Sequence, residues 1–174
     1  MSAFDVWTSL LFDLEGRELS MDPSDPGNYR PEGTLGGSRF GISSRQYPLV
    51  DMQTLTEDEA KAIARRDYWD AHNLDKFPGP VAILLADAFY NGGRPIAWLQ
   101  AAVNTPVDEV WGDNSDRALA VAWATRPSVV LAEFQAARII YDFDLGMSGD
   151  LEGWTIRCNS MLVLATQLWV GAVH

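Results

Sequence analysis

Three carboxylates near the N-terminus, Glu15, Asp22 and Asp25, are best suited by type and spacing to acid–base chemistry. Glu15 ends an apolar-patterned segment and is followed at once by Gly16, a residue that favours a helix end. There its charge opposes the helix macrodipole, at a cost of about a few tenths of a kcal/mol. It follows Leu11 by four residues, which predicts a place beside the apolar seam. A carboxyl pressed against apolar surface favours its protonated form, the form a general acid needs near neutral pH. Glu15 also reads as a partly exposed side chain beside a capping glycine, with no role. Glycosidic cleavage needs a second carboxyl, about 5–5.5 Å away for retention of configuration or about 6.5–9.5 Å for inversion. Asp22 and Asp25 are the nearest partners in sequence. Asp25-Pro26-Gly27 is also an ordinary turn, with aspartate first and proline next.

Other chemistries find little support. His72 and His174 lack the H-E-x-x-H spacing of a zinc hydrolase. The segment 142–153, DFDLGMSGDLEG, has Met147 where a calcium loop needs glycine and Gly153 where it needs glutamate. Cys158 sits in a helical pattern with no histidine nearby, so it reads as a buried structural thiol. No glycine-rich phosphate loop is present. Neither a metal nor a cofactor is expected.

A chain of 174 residues, 47% hydrophobic and 21% charged, suits one globular domain spanning 1–174. One cysteine makes no internal disulfide, so packing alone must hold the fold. The net charge of −11 argues against nucleic acid, whose phosphates require clustered Lys and Arg. It also disfavours tight adhesion to anionic polymers, bacterial wall included. Neutral sugars remain open to aromatic faces, and the chain has seven tryptophans. The N-terminus has no basic region before its apolar run, which Asp5 and Asp13 interrupt. The longest apolar stretch, MLVLATQLWVGAV, is too short to span a bilayer and holds Gln167. A soluble protein without stable membrane insertion is the expectation.

The elements that must position these residues follow from periodicity. Phe4, Trp7, Leu10, Leu11 and Leu14 predict an amphipathic helix over 2–15. Proline, glycine, serine and aspartate then dominate 17–55, which predicts a binding loop or hidden short strands. Thr56 and Glu59 form a capping box that opens a helix to about Asp70. Further helices are predicted over 79–91, 94–104, 114–125 and 127–142. A loop, DFDLGMSGD, separates them from a last helix over 152–170. The class is mainly α, with a small loop or β-rich lobe after the first helix.

The order of three blocks, LEGRELSMDPSDPG, GGSRFGISSRQYP and LTEDEAKAIARRDYWD, resembles glycoside hydrolase family 108, the phage and prophage endolysins and secretion-associated muramidases. Its helix ending E-G-G, its D-P-x-D-x-G-G loop and its T-x-x-G-I-[ST] block all have counterparts here. Later matches are Asp87, Asn91 and Gly93 or Gly92, then Ala97 with Leu99-Gln100, then Asp108, Gly112 and Ser115. The final GWTIRCN is similar to the family's G-W-x-x-R-x-N.

The resemblance implies a lysozyme-like fold and hydrolysis of the β-1,4 bond between N-acetylmuramic acid and N-acetylglucosamine. It makes Glu15 the catalytic acid and Asp25 either a water-orienting carboxylate or a turn former. Ser38 would position water or a sugar oxygen, and Tyr90 and Asn91 would contact sugar. It assigns the catalytic motifs to 1–95 and a peptidoglycan-binding region to 96–174. The expected partner is the peptidoglycan glycan strand. The protein would be made in the bacterial cytoplasm, reach the periplasmic wall by a holin-like route and act as a monomer.

Three departures stand out. E-G-G-Y becomes Glu15-Gly16-Arg17-Glu18, which adds charge beside the acid. The NYRPEGTL loop is longer than usual, and Glu109 replaces a common glycine in the second half. These leave a second reading, a wall-binding or virion-associated module of the same fold with little turnover. A third is a glycosidase acting on chitosan or chitin.

Overall fold

The computed structural model describes residues 1–144 and 151–172 of the chain. The excluded calcium motif at 142–153 falls partly, and His174 wholly, outside the described residues. The chain divides into two compact units, Phe4–His72 and Met1–Ala3 with Asn73–His174.

In the first unit, α1 runs Ala3–Glu15 and buries Phe4, Trp7, Leu11 and Phe12 along the face its apolar spacing predicts. Gly16 ends it at φ +94°, donating its N–H to the Phe12 carbonyl at 3.1 Å. A glycine tolerates that angle without a Cβ penalty. The stretch after it hides the short strands its length suggested. β1 (Ser38–Arg39) and β2 (Ile42–Ser43) pair antiparallel, with Ser38 opposite Ser43 and Arg39 opposite Ile42. Phe40 and Gly41 join them, both at positive φ (54° and 73°). Two such residues twist a hairpin in the hand its strands require. Phe40 is held there by its ring, 5.3 Å from that of Phe12. Isolated bridges Ser20–Ser38 and Tyr29–Leu35 extend this lobe.

α2 (Glu57–Ala64) opens on the expected capping box, Thr56 with Glu59. The helix expected to run on to Asp70 does not stay α. Residues Arg65–Asp70 form a wider π-helical turn, which shifts the phase of the side chains that follow. Trp69 is thereby buried with its ring 5.4 Å from Phe4 and 6.0 Å from Trp7.

The second unit is built on α3 (Gly79–Asn91), buried continuously from Pro80 to Ala88. α4 (Pro95–Ala102), α5 (Asp113–Thr125), α6 (Pro127–Asp144) and α7 (Leu151–Ala172) follow. α3 packs on α7, and α6 packs on both α4 and α7. Cys158 is buried in α7, where burial pushes its thiol up from the ordinary value, as suits a structural residue. Glu109, where glycine was expected, sits at φ +63°. Its backbone N–H and that of Asp108 both donate to Gln100 Oε1, at 2.9 and 3.1 Å, and those bonds hold the unusual turn in place. No helix among the described residues is long and apolar enough to cross a membrane.

Candidate active site

The end of α1 and the lobe beyond it enclose a groove of roughly 370 Å³, made only of residues from 15 to 43. Glu15 enters it because Gly16 turns the backbone at that point. Asp25 enters it as the cap of a short 3-10 turn, Pro26–Asn28, its Oδ1 accepting the Gly27 N–H at 2.8 Å. Ser38 enters it from β1, and Ser43, its cross-strand partner, does so from β2. Residues from a helix end, a 3-10 turn and a strand thus share one concavity.

The surroundings of Glu15 differ from the sequence expectation. Its side chain is exposed rather than pressed against the apolar seam. The seam is closed by Phe12 and Leu11, and the final turn of α1 projects beyond it, with Leu14 itself 37% exposed. Of the two partner carboxylates, Asp25 lines the groove. Asp22 instead accepts from the Ser24 N–H and hydroxyl, both at 2.8 Å, and these bonds lower its carboxyl below the ordinary range. Asp22 is a turn residue.

The groove also holds residues that sequence reasoning passed over: Glu18, Ser20, Arg39 and Ser43. With Glu15 and Asp25, Glu18 makes three carboxylates around one cation, Arg39. Its guanidinium is spent on backbone acceptors, Nε on Arg17 O and Nη1 on Leu55 O, each at 3.0 Å. The alternation of a two-residue hairpin over 38–43 was the available signal for Ser43. Nothing local in the sequence marks Arg39. Among the described residues, no group of three acidic, histidine or cysteine side chains is placed to hold a metal ion.

Residues 8–93, which contain the entire groove, match the family model of glycosyl hydrolase 108. Over this segment, 86 of the 174 residues, the chain is similar to glycosyl hydrolase family 108. A family 108 member is a glycosidase of the peptidoglycan-hydrolase type, and Glu15 lies at the helix end where the resemblance puts the acid. The chain is also similar in structure to Brucella abortus SagA, with a TM-score of 0.71, 23% identity and 94% of each chain covered. The two share a fold, mainly α and lysozyme-like. No curated protein matches the sequence.

Tyr90 and Asn91 belong to the second unit, at the end of α3. The Asn91 amide donates to the Asp87 carbonyl one turn back, at 2.7 Å, so its donor serves its own helix. The Arg157 guanidinium lies 5.7 Å from the centre of the Tyr90 ring, within cation–π range.

Proposed function

We propose that the protein is an N-acetylmuramidase that cuts the β-1,4 bond following N-acetylmuramic acid in peptidoglycan. Glu15 protonates the glycosidic oxygen, Asp25 serves as the second carboxylate, and Ser38 holds water or a sugar hydroxyl. Tyr90 and Asn91 remain proposed sugar contacts. One observation carries this reading: Glu15 at the end of α1, Asp25 in the turn after it and Ser38 on β1 line a single groove of roughly 370 Å³. Neutral glycan fits such a site, being gripped through hydrogen bonds rather than charge. The proposed setting is the bacterial cell wall, reached after synthesis inside the cell, with the protein acting as a monomer.

A second reading, wall binding with little turnover, draws on the exposure of Glu15 and the net charge of −11. Digestion of purified peptidoglycan by wild type and Glu15→Gln, followed by mass spectrometry of the muropeptides, separates the two. A muramidase leaves reducing muramic acid ends, and the substitution lowers their rate of release by about 10²-fold or more. Equal release by both proteins, or none by either while both bind sacculi, favours the binder. Reducing glucosamine ends, or preference for chitin oligomers, rejects muramidase specificity.

A further inference from the structure

We propose that Arg17, where the family pattern has a second glycine, is a positioning residue that holds the turn carrying Glu15. The inference rests on Glu15 being the acid of the reaction proposed above. Arg17 folds back along α1. Its Nε donates to Asp13 Oδ1 at 2.8 Å and its Nη2 to the Ser9 carbonyl at 3.3 Å. Its third nitrogen reaches away from the helix, Nη1 donating to Glu57 Oε2 at 2.6 Å in the first turn of α2. One guanidinium therefore ties the last two turns of α1 to the start of another helix forty positions away in sequence. A planar fork with fixed donor directions can do this, whereas a lysine ammonium cannot hold all three acceptors in the same geometry.

The backbone on either side of Glu15 is held as well. Gly16 O accepts from Phe40 N–H at 3.1 Å, and Arg17 O accepts from Arg39 Nε at 3.0 Å. The carbonyls of residues 16 and 17 are thus bonded to the hairpin, and the side chain of residue 17 to both helices. Glu15 immediately precedes this clasp on an exposed helix end, where a terminal turn otherwise frays. An acid that must meet a glycosidic oxygen within hydrogen-bond reach gains rate from such fixing. In the family pattern the turn is made flexible by two glycines. Here Arg17 gives up that freedom and supplies an anchor in its place.

The far end of the clasp is prepared to receive it. Lys61 Nζ contacts Glu57 Oε1 at 2.9 Å, leaving Oε2 to Arg17. The Lys61 hydrogen bond, followed by the Arg17 charge, holds the Glu57 carboxyl below its ordinary range, so it stays anionic.

The experiment measures kcat and KM on purified peptidoglycan for full-length wild type, Glu15→Gln, Arg17→Met, Arg17→Lys and Arg66→Met, the last an exposed arginine away from the groove. Arg17→Met is expected to lower kcat about tenfold with KM held within about twofold, because a loosened acid still binds glycan but meets the bond less often. Arg17→Lys keeps the Glu57 pair, loses the fork and recovers part of the rate. Arg66→Met matches wild type. A wild-type kcat in Arg17→Met, or a raised KM with kcat kept, overturns the inference while the muramidase reading stands. If Arg17→Met does not fold, Arg17→Lys decides, and a wild-type kcat there overturns it equally. A wild type that releases no muramic acid ends, or is matched by Glu15→Gln, sinks the muramidase reading and takes this inference with it.

Discussion

Arg138 donates from Nη1 to Asp87 Oδ2 at 2.7 Å, with only 1% of one side chain and none of the other open to solvent. Arg157 completes the cluster from α7, its Nη2 at 2.7 Å from Asp87 Oδ1. One carboxylate on α3 therefore holds together α6 and α7. Burying such a pair is expensive, and it persists because each charge answers the other. The Asp87→Asn substitution leaves two arginines facing a neutral amide in the interior. Its expected cost is about 3–5 kcal/mol, read from the midpoint of chemical denaturation. A loss under about 1 kcal/mol would show that the cluster contributes little to the second unit.

Asp142, buried a turn beyond Arg138 on α6, has an Oδ2 with no hydrogen-bond partner among the described residues. Burial raises its carboxyl above the ordinary range, and the Arg138 charge only partly offsets this. The folded state then keeps a proton that the unfolded chain releases near pH ~3.9. Stability from this group is fully present below that pH and declines as pH rises through the higher folded value. Asp142→Asn lacks the effect. Its melting temperature relative to wild type should rise between about pH 4 and pH 7. Parallel curves for the two proteins would refute it.

Asp25 both caps a turn and lines the groove, and two substitutions separate those roles. Asp25→Asn keeps an acceptor for the Gly27 N–H and should leave the melting temperature near wild type. Asp25→Ala loses the cap and about 1 kcal/mol of stability. If the charge serves catalysis, both variants lose activity on peptidoglycan to a similar extent. Retained activity in Asp25→Asn would reduce Asp25 to a turn former.

Gly37 lies at φ +83°, and a Cβ there would stand 2.5 Å from Met21 Sδ and 2.6 Å from the Ser20 carbonyl oxygen. That carbonyl accepts from the Ser38 N–H at 2.9 Å, so the strain falls on the strand that delivers Ser38. Gly37→Ala should destabilise by about 1–3 kcal/mol and lower activity further than its effect on melting explains. Wild-type stability in thermal melts would contradict the strained geometry.

Much of the architecture was readable from local signals. The spacing of Phe4, Trp7 and Leu11 marked α1 and its buried face, and Thr56 with Glu59 marked the start of α2. The helices of the second unit fell within a few residues of their expected bounds. Two features were not readable. The π-helical turn at Arg65–Asp70 answers to the packing of Trp69 against Phe4 and Trp7, more than fifty residues earlier in the chain. The seam position expected for Glu15 assumed a helix face that continued to its last residue, and the chain turns away there.

Within the groove the division is similar. The block pattern picked out Glu15, Asp25 and Ser38, because helix ends, Asp-Pro turns and hairpins are written in a few adjacent residues. Glu18 and Arg39 had no such mark, and Arg39 takes its place only by reaching the Arg17 carbonyl 22 positions back. Residue types and short-range spacing determined which groups were available and which elements would carry them. Only tertiary structure decided which of those groups face one another and which are kept wet, because contacts across distant sequence set the direction of every side chain at a helix end or loop.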